Sequence, residues 1–174
     1  GREAYGRGVE ELRKHIIAGD IVQAVLSRRV AIKTALDPLD AYCRLRRINP
    51  SPYLFYFDFD QFKLFGSSPE LMVSLNLGTA TIKPIAGTRP RGKTRHDDIA
   101  LEKELLADEK ERAEHLMLVD LARNDLGRTA KSGTVIPRNL YQVERYSHVM
   151  HIVSEIQSQI DKEYDAYDLI QTTF

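Results

Sequence analysis

The sequence predicts an α/β protein of the α+β kind, with mixed or antiparallel sheets packed against helices. Three observations carry this. The stretch Asp108–Gly127, DEKERAEHLMLVDLARNDLG, repeats apolar residues at helical spacing. Tyr53–Gly66 is dense in aromatic and branched residues, which suit a pleated, half-covered surface. From Met150 the even positions Met150, Ile152, Ile156 and Ile160 are apolar while Glu155, Gln157 and Gln159 are polar, the period of a long strand.

In chain order, Val9, Leu12, Ile16 and Ile17 form a helical stripe that Gly19 can stop. Ile21–Ile32 is rich in branched residues and reads as a strand in a covered sheet, with Gln23 buried and hydrogen-bonded within it. Asp37-Pro38 opens a helix, acid at the cap and proline in the first turn, that ends before Asn49-Pro50-Ser51-Pro52. Two or three strands follow from Tyr53, and Asn76-Leu77-Gly78 reads as a tight hairpin turn between Glu70–Leu75 and Thr79–Lys83. The segment PIAGTRPRGKTR reads as a basic loop whose backbone donors and Arg89, Arg91, Lys93 and Arg95 suit an anion. It lacks the Gly-Lys-Ser/Thr ending of a Walker loop.

Asp108 is placed to cap the central helix, with Glu111 completing a capping box and Gly127 as a left-handed stop. Glu111, Glu114 and His115 then share one face, and Leu116, Met117, Val119, Leu121, Ala122 and Leu126 form its buried flank. Paired carboxylates of this kind suit magnesium, which takes one or two from the protein and fills its shell with water and substrate oxygens. Gly133–Pro137 is a short extended piece, and Asp165 caps a last helix. His151 points away from Met150 and Ile152; a lone histidine on a strand is usually structural or exposed, and this one gains chemical interest only if its side faces the acids of the helix.

Charge and cysteine content narrow the function classes. The 25 basic and 25 acidic residues cancel to a formal charge of zero, so no electrostatic case exists for nucleic acid or an anionic membrane. No run of about 18 apolar residues occurs, and the start GREAYGRGVEELRKH has no signal-peptide core, so a soluble, cytoplasmic protein with a small-molecule partner is expected. One cysteine, Cys43, excludes an internal disulfide and a thiolate zinc site and reads as a buried hydrophobe.

Several long words resemble the chorismate-utilising enzymes, most closely the large subunits of anthranilate synthases. They are GDIVQAVLSRR, NPSPYLFYF, GSSPE, PIAGTRPRG, DEKERAEHLMLVDLARNDLGR and VERYSHVMHIVSE, in the family's order and spanning nearly the whole chain. The resemblance implies a partial chorismate-binding fold in which residues 1–174 are the central piece, the first half of the catalytic domain. An amino-terminal regulatory part and a carboxyl-terminal catalytic part are expected outside it. The implied reaction joins chorismate and ammonia, the latter from a glutamine amidotransferase subunit, with Mg2+ as cofactor. Glu70 matches the family's acid for the leaving hydroxyl, His151 the histidine of the elimination, Gly87 and Thr88 the substrate-contacting loop, and Glu114 with Glu111 the magnesium ligands. Asn49, Pro50, Ser51, Pro52 and Tyr53 match the segment that binds tryptophan as feedback inhibitor, away from the active site.

Two positions sort the family by reaction. Isochorismate and salicylate synthases carry a lysine at the place of Gln23, and aminodeoxychorismate synthases commonly carry one at the place of Ala86. Ammonia, once unprotonated, needs no base to attack, so the absence of both suits anthranilate formation. Aminodeoxychorismate synthase, another chorismate-utilising enzyme, and a non-catalytic ligand-binding module are the alternatives.

Overall fold

The computed structural model describes residues 1–174. It divides into two compact units, 1–37 and 38–174.

The first unit holds α1 (Arg2–Ala18), which Gly19 closes in the left-handed conformation at φ 82°, its N–H turned back to the last carbonyls. This is the predicted stop. The rest of the unit departs from expectation: residues 21–37 form no strand. Val22 and Val25 are 80% and 89% exposed, and Gln23 is exposed rather than buried. A strand exists only against a hydrogen-bonding neighbour, and none runs alongside. Tyr5 Oη donates to the Leu26 carbonyl at 3.0 Å. Leu26 sits against Gly8, where an added Cβ would come within 2.9 Å of its methyl carbon.

The second unit opens with α2 (Pro38–Ile48). Its Tyr42 packs on a two-stranded antiparallel sheet of β1 (Tyr53–Asp58) and β2 (Lys63–Ser68) through Tyr56 and Phe65, with ring centroids 5.5 and 6.1 Å away. Cys43 is exposed on the helix, not buried. Aromatic density here does give strands, yet Phe57, Phe59 and Phe62 stay half or more exposed.

The larger sheet comprises β3 (Ser74–Asn76), β4 (Thr79–Ile82), β5 (Ile85–Pro90), β6 (Ile136–Arg145) and β7 (Val149–Gln159), all antiparallel to their neighbours. The turn between β3 and β4 has Leu77 at φ 48° and Gly78 at φ 80°. Two successive positive φ angles are what a two-residue hairpin of primed type requires. β7 is the centre. β6 lines one edge along its length, while β5 pairs with residues 149–153 and β4 with residues 156–159 on the other. At the joint, Ser154 N–H donates to the Pro84 carbonyl at 3.2 Å. β4 and β5 therefore act as one strand broken at a proline, which has no N–H for the ladder.

Between β5 and β6 run α3 (Arg95–Ala107) and α4 (Glu109–Gly127). Thr94 and Asp97 form a capping box on α3, and Asp108 caps α4 by accepting from the N–H groups of Lys110 and Glu111. Gly127 lies inside α4 without positive φ, and Arg128 in right-handed geometry ends the helix, so the predicted glycine stop does not form. Val119, Ala122 and Leu126 of α4 pack with Ala80, Ile82, Ile156 and Leu169, while Leu105 of α3 packs with Met150 and Ile152. Leu116 and Leu121, expected in the buried flank, are exposed. α5 (Ala166–Thr172), capped by Asp165, completes the first cluster through Leu169.

Candidate functional site

Residues 85–90 of the basic segment expected as a loop form strand β5, whose bulge organises the site, while residues 91–94 stay outside helix and strand. Ala86 pairs with Ile152 and Thr88 with His151, so Gly87 is an extra residue in the ladder. Gly87 has φ 83°, and an added Cβ would lie 3.1 Å from Ile152 Cδ1 and 3.3 Å from Leu105 Cδ1. Only glycine suits both the angle and the space. The bulge leaves Ala86 buried beside Ile152 and turns Thr88 to the opposite face, where Thr88 Oγ1 and His151 Nδ1 lie 2.9 Å apart. Two residues 63 apart in sequence thus meet.

His151 does not face the helix acids. Ser154 and Ile156 of β7 pack on α4, and His151 lies on the other face of the strand. There it lines a cleft of about 370 Å3 together with Asn49, Pro50, Ser51 and Pro52. Ser67 Oγ donates to the Asn49 carbonyl at 2.6 Å, pinning that bend to β2. The segment expected apart from the active site therefore shares a cleft with His151. Tyr53 lines an adjoining pocket of about 240 Å3 with Pro52 and Tyr146.

Tyr146 and Glu144 are residues that sequence reasoning passed over. The Tyr146 ring meets His151 edge-on with centroids 5.6 Å apart, and its hydroxyl donates to Glu144 Oε2 at 2.8 Å. Burial first, then Glu144, pushes this phenol up to about 12. Glu144 also receives Lys83 Nζ at 3.4 Å. Both belong to the VERYSHVMH word that also carries His151.

Two of the four cations of the expected anion loop, Arg89 and Arg91, are already matched. Arg89 donates to Asp108 at 2.8 Å and Glu104 at 3.0 Å, and lies 3.8 Å from Glu111. Arg91 Nε donates to both oxygens of Asp98, whose Oδ1 also accepts the Gly92 N–H, so the Asp98 carboxyl is held down at about 2. An anion at either arginine would have to displace these carboxylates.

Glu111 and Glu114 lie one turn apart on α4 and are both half-buried. As two carboxylates on one helix face they would supply part of a magnesium shell and leave the other positions to water and substrate oxygens, although the Arg89 guanidinium already lies 3.8 Å from Glu111. No third His, Cys, Asp or Glu joins them in a cluster. His115 turns into the core instead of joining their surface. It is fully buried, with Nε2 2.6 Å from Ser154 Oγ. Burial lowers its pKa; the Ala86 carbonyl nearby partly opposes this, although Nδ1 makes no hydrogen bond.

Glu70 stands elsewhere. It is exposed on the rim of a second cleft of about 370 Å3, with Met72, Leu118, Leu121 and Asp125. Asp125 is pushed above the ordinary carboxylate range by burial. Gln23 belongs to the first unit and Ala86 to the second.

A bulged antiparallel sheet covered by helices on one face, with His151 lining a cleft on the other and held by Thr88, defines the class as an α+β domain. Comparison with known proteins gives the particular family. Residues 1–174 match the model of the chorismate binding enzymes, and the chain belongs to that family. It is 54% identical over 172 residues to anthranilate synthase component 1 of Spirochaeta aurantia, covering 99% of this chain and 36% of that protein. Identity to the component of the same name from Aquifex aeolicus is 51% over 173 residues, covering 99% and 35%. Among solved structures, anthranilate synthase component I from Streptococcus pneumoniae superposes with a TM-score of 0.88 at 38% identity, covering 99% of this chain and 38% of the other. A 2,3-dihydroxybenzoate-specific isochorismate synthase from Bacillus anthracis shares the fold, with a TM-score of 0.75 at 22% identity over 99% of this chain and 48% of the other. The chain spans about a third of the length of the anthranilate synthase components it matches.

Proposed function

We propose that the chain works as the chorismate-handling part of a magnesium-dependent anthranilate synthase, a lyase that takes ammonia from a glutamine amidotransferase and serves tryptophan biosynthesis. The observation that carries the reading is the Thr88–His151 pair, because it joins two separate family words across β5 and β7 at 2.9 Å. The relatives at about 50% identity favour this member of the family.

Each residue has a part. Hydroxide leaves a ring badly unless protonated, and Glu70 is the proposed donor of that proton. Its cleft is largely apolar, and burial there raises the pKa of Asp125. Gly87 and Thr88 contact substrate through backbone and hydroxyl. Since Thr88 engages Nδ1, Nε2 is the His151 nitrogen left to move a proton in the elimination of pyruvate. Glu114 and Glu111 would hold magnesium, which supplies a positive charge for the ring carboxylate. With glutamine at 23 and alanine at 86, ammonia itself is the nucleophile. Asn49–Tyr53, fixed by two prolines, is proposed to bind tryptophan; its place beside His151 would let inhibitor and substrate compete for one region.

Chorismate, magnesium and ammonia supplied to a synthase subunit carrying this chain should yield pyruvate and a fluorescent aromatic amine. An amine product that keeps its enolpyruvyl group would assign the chain to aminodeoxychorismate synthesis instead. Chorismate binding without turnover would leave it a ligand-binding module.

A further inference from the structure

His151 is held from two sides. Thr88 Oγ1 engages Nδ1 at 2.9 Å, and the Tyr146 ring stands against the imidazole at 5.6 Å with an interplanar angle of 61°. Tyr146 is itself unusually fixed for a residue in a strand connection. Its N–H donates to the Val149 carbonyl at 2.8 Å, and its own carbonyl accepts from Arg91 Nη1 at 2.6 Å, the arginine already being forked on Asp98. At the far end its hydroxyl is tied to Glu144, which Lys83 also contacts. Backbone and side chain are thus anchored to β6, to β7 and, through Arg91, to α3. Tyr146 also lines both adjoining pockets, so its ring is the wall between them.

We propose that Tyr146 is a positioning residue for His151: its ring, held in place by the anchored backbone, fixes the plane of the imidazole so that Thr88 takes Nδ1 and Nε2 faces the cleft. An imidazole held only through Nδ1 could still swing about that bond and exchange tautomers. Rotation brings the rings into collision while Tyr146 stays in place. The loss of freedom is met by the fold in advance, which is how a supporting side chain makes a catalytic group effective. The charged and titratable groups around this pair are Glu144 on β6, Lys83 between β4 and β5, and His148 in the turn before β7. The inference rests on the proposed role of His151, but its test does not need turnover.

The test is long-range 1H–15N NMR of the histidine side chains in the 174-residue chain, with the His151 signals identified by their absence from His151→Ala. In the parent, His151 should show one dominant tautomer. Tyr146→Phe keeps the ring edge and should leave those signals close to the parent's. Tyr146→Leu removes the edge and should move both nitrogens toward the averaged shifts of a free imidazole. In a synthase subunit carrying the chain, it should also lower kcat on the order of tenfold with KM little changed, since orientation matters most in the transition state. Should Tyr146→Leu fail to fold, Tyr146→Met fills the space with an unbranched chain and reads the same. Unchanged His151 signals in a folded Leu or Met variant would overturn the proposal, and so would Tyr146→Phe disturbing them as much as Tyr146→Leu. A His151→Ala variant with normal turnover would instead defeat the catalytic reading while leaving the NMR result standing.

Discussion

Ile21–Ile32 and Val149–Gln159 are two stretches of similar length and similar wealth in branched residues, yet only the second is a strand. β7 has β6 along one edge and β4 and β5 along the other. The earlier stretch has no ladder at all, and Val22, Val25, Val30 and Ile32 are exposed. Their composition states the same preference for a pleated surface. What differs is the supply of backbone partners, which lies outside any local window of sequence.

That contrast can be broken by experiment. Ile156→Ala empties a fully buried site between α4 and the sheet and should cost about 2–5 kcal/mol of stability by urea unfolding, while Val25→Ala should change it by less than about 0.5 kcal/mol. An equal loss at Val25 would show that the first stretch is packed in solution. Amide exchange gives a second view. The amides of Ile152–Ile156 should open only with global unfolding, and those of Val22–Val30 should exchange near the rate of an open chain.

A smaller effect separates regions that hold charge partners from those that do not. Asp98 has its pKa lowered from 3.8 to about 2 by Arg91 and the Gly92 N–H. A depressed carboxyl stabilises above its unfolded pKa, so this contribution should be complete near neutral pH and disappear as pH falls from about 4 to about 2. Thermal melts of Asp98→Asn should show a lower Tm at neutral pH and a shallower fall over that window. An unchanged slope would mean that the Arg91 fork contributes nothing. One further expected change is a gain. Leu77 is 98% exposed in the left-handed region, so Leu77→Asn should stabilise the hairpin by about 1 kcal/mol, a shift readable in a melt.

The same contrast explains what was legible in advance. Helix ends marked by short side-chain chemistry were readable: Gly19, Pro38, Asp108 and Asp165 all act as predicted. So was the Leu77–Gly78 turn, whose angles are a local matter. Gly127 misled, because a glycine permits a left-handed stop without compelling one. β6 was seen only at its start. Asn139 and Tyr141 take positive φ there, three residues facing the one opposite them, and Ser154 Oγ accepts the Tyr141 N–H at 3.0 Å. Such a bulge breaks the alternation by which a strand is recognised. The site was legible as residues and not as an arrangement. Nothing in the PIAGT and VMH words alone says that a bulge brings Thr88 to His151, or that Glu70 lies in another cleft.

The central position of β7 also has a consequence in time. Its partners β4 and β5 are made some 60–80 residues earlier, as the pairings Thr79↔Gln159 and Thr88↔His151 show. During synthesis those strands must wait, with the backbone N–H and C=O groups they will offer to β7 unpaired, until residue 159 has left the ribosome. α3 and α4, whose bonds are local, are free to form in the interval. The rate of maturation is then governed by closure of one long loop, a search whose entropic cost rises only slowly with length. A nascent chain arrested before Val149 would hold its helices and no ladder for β4 and β5 to join, and it would be the species most in need of a chaperone.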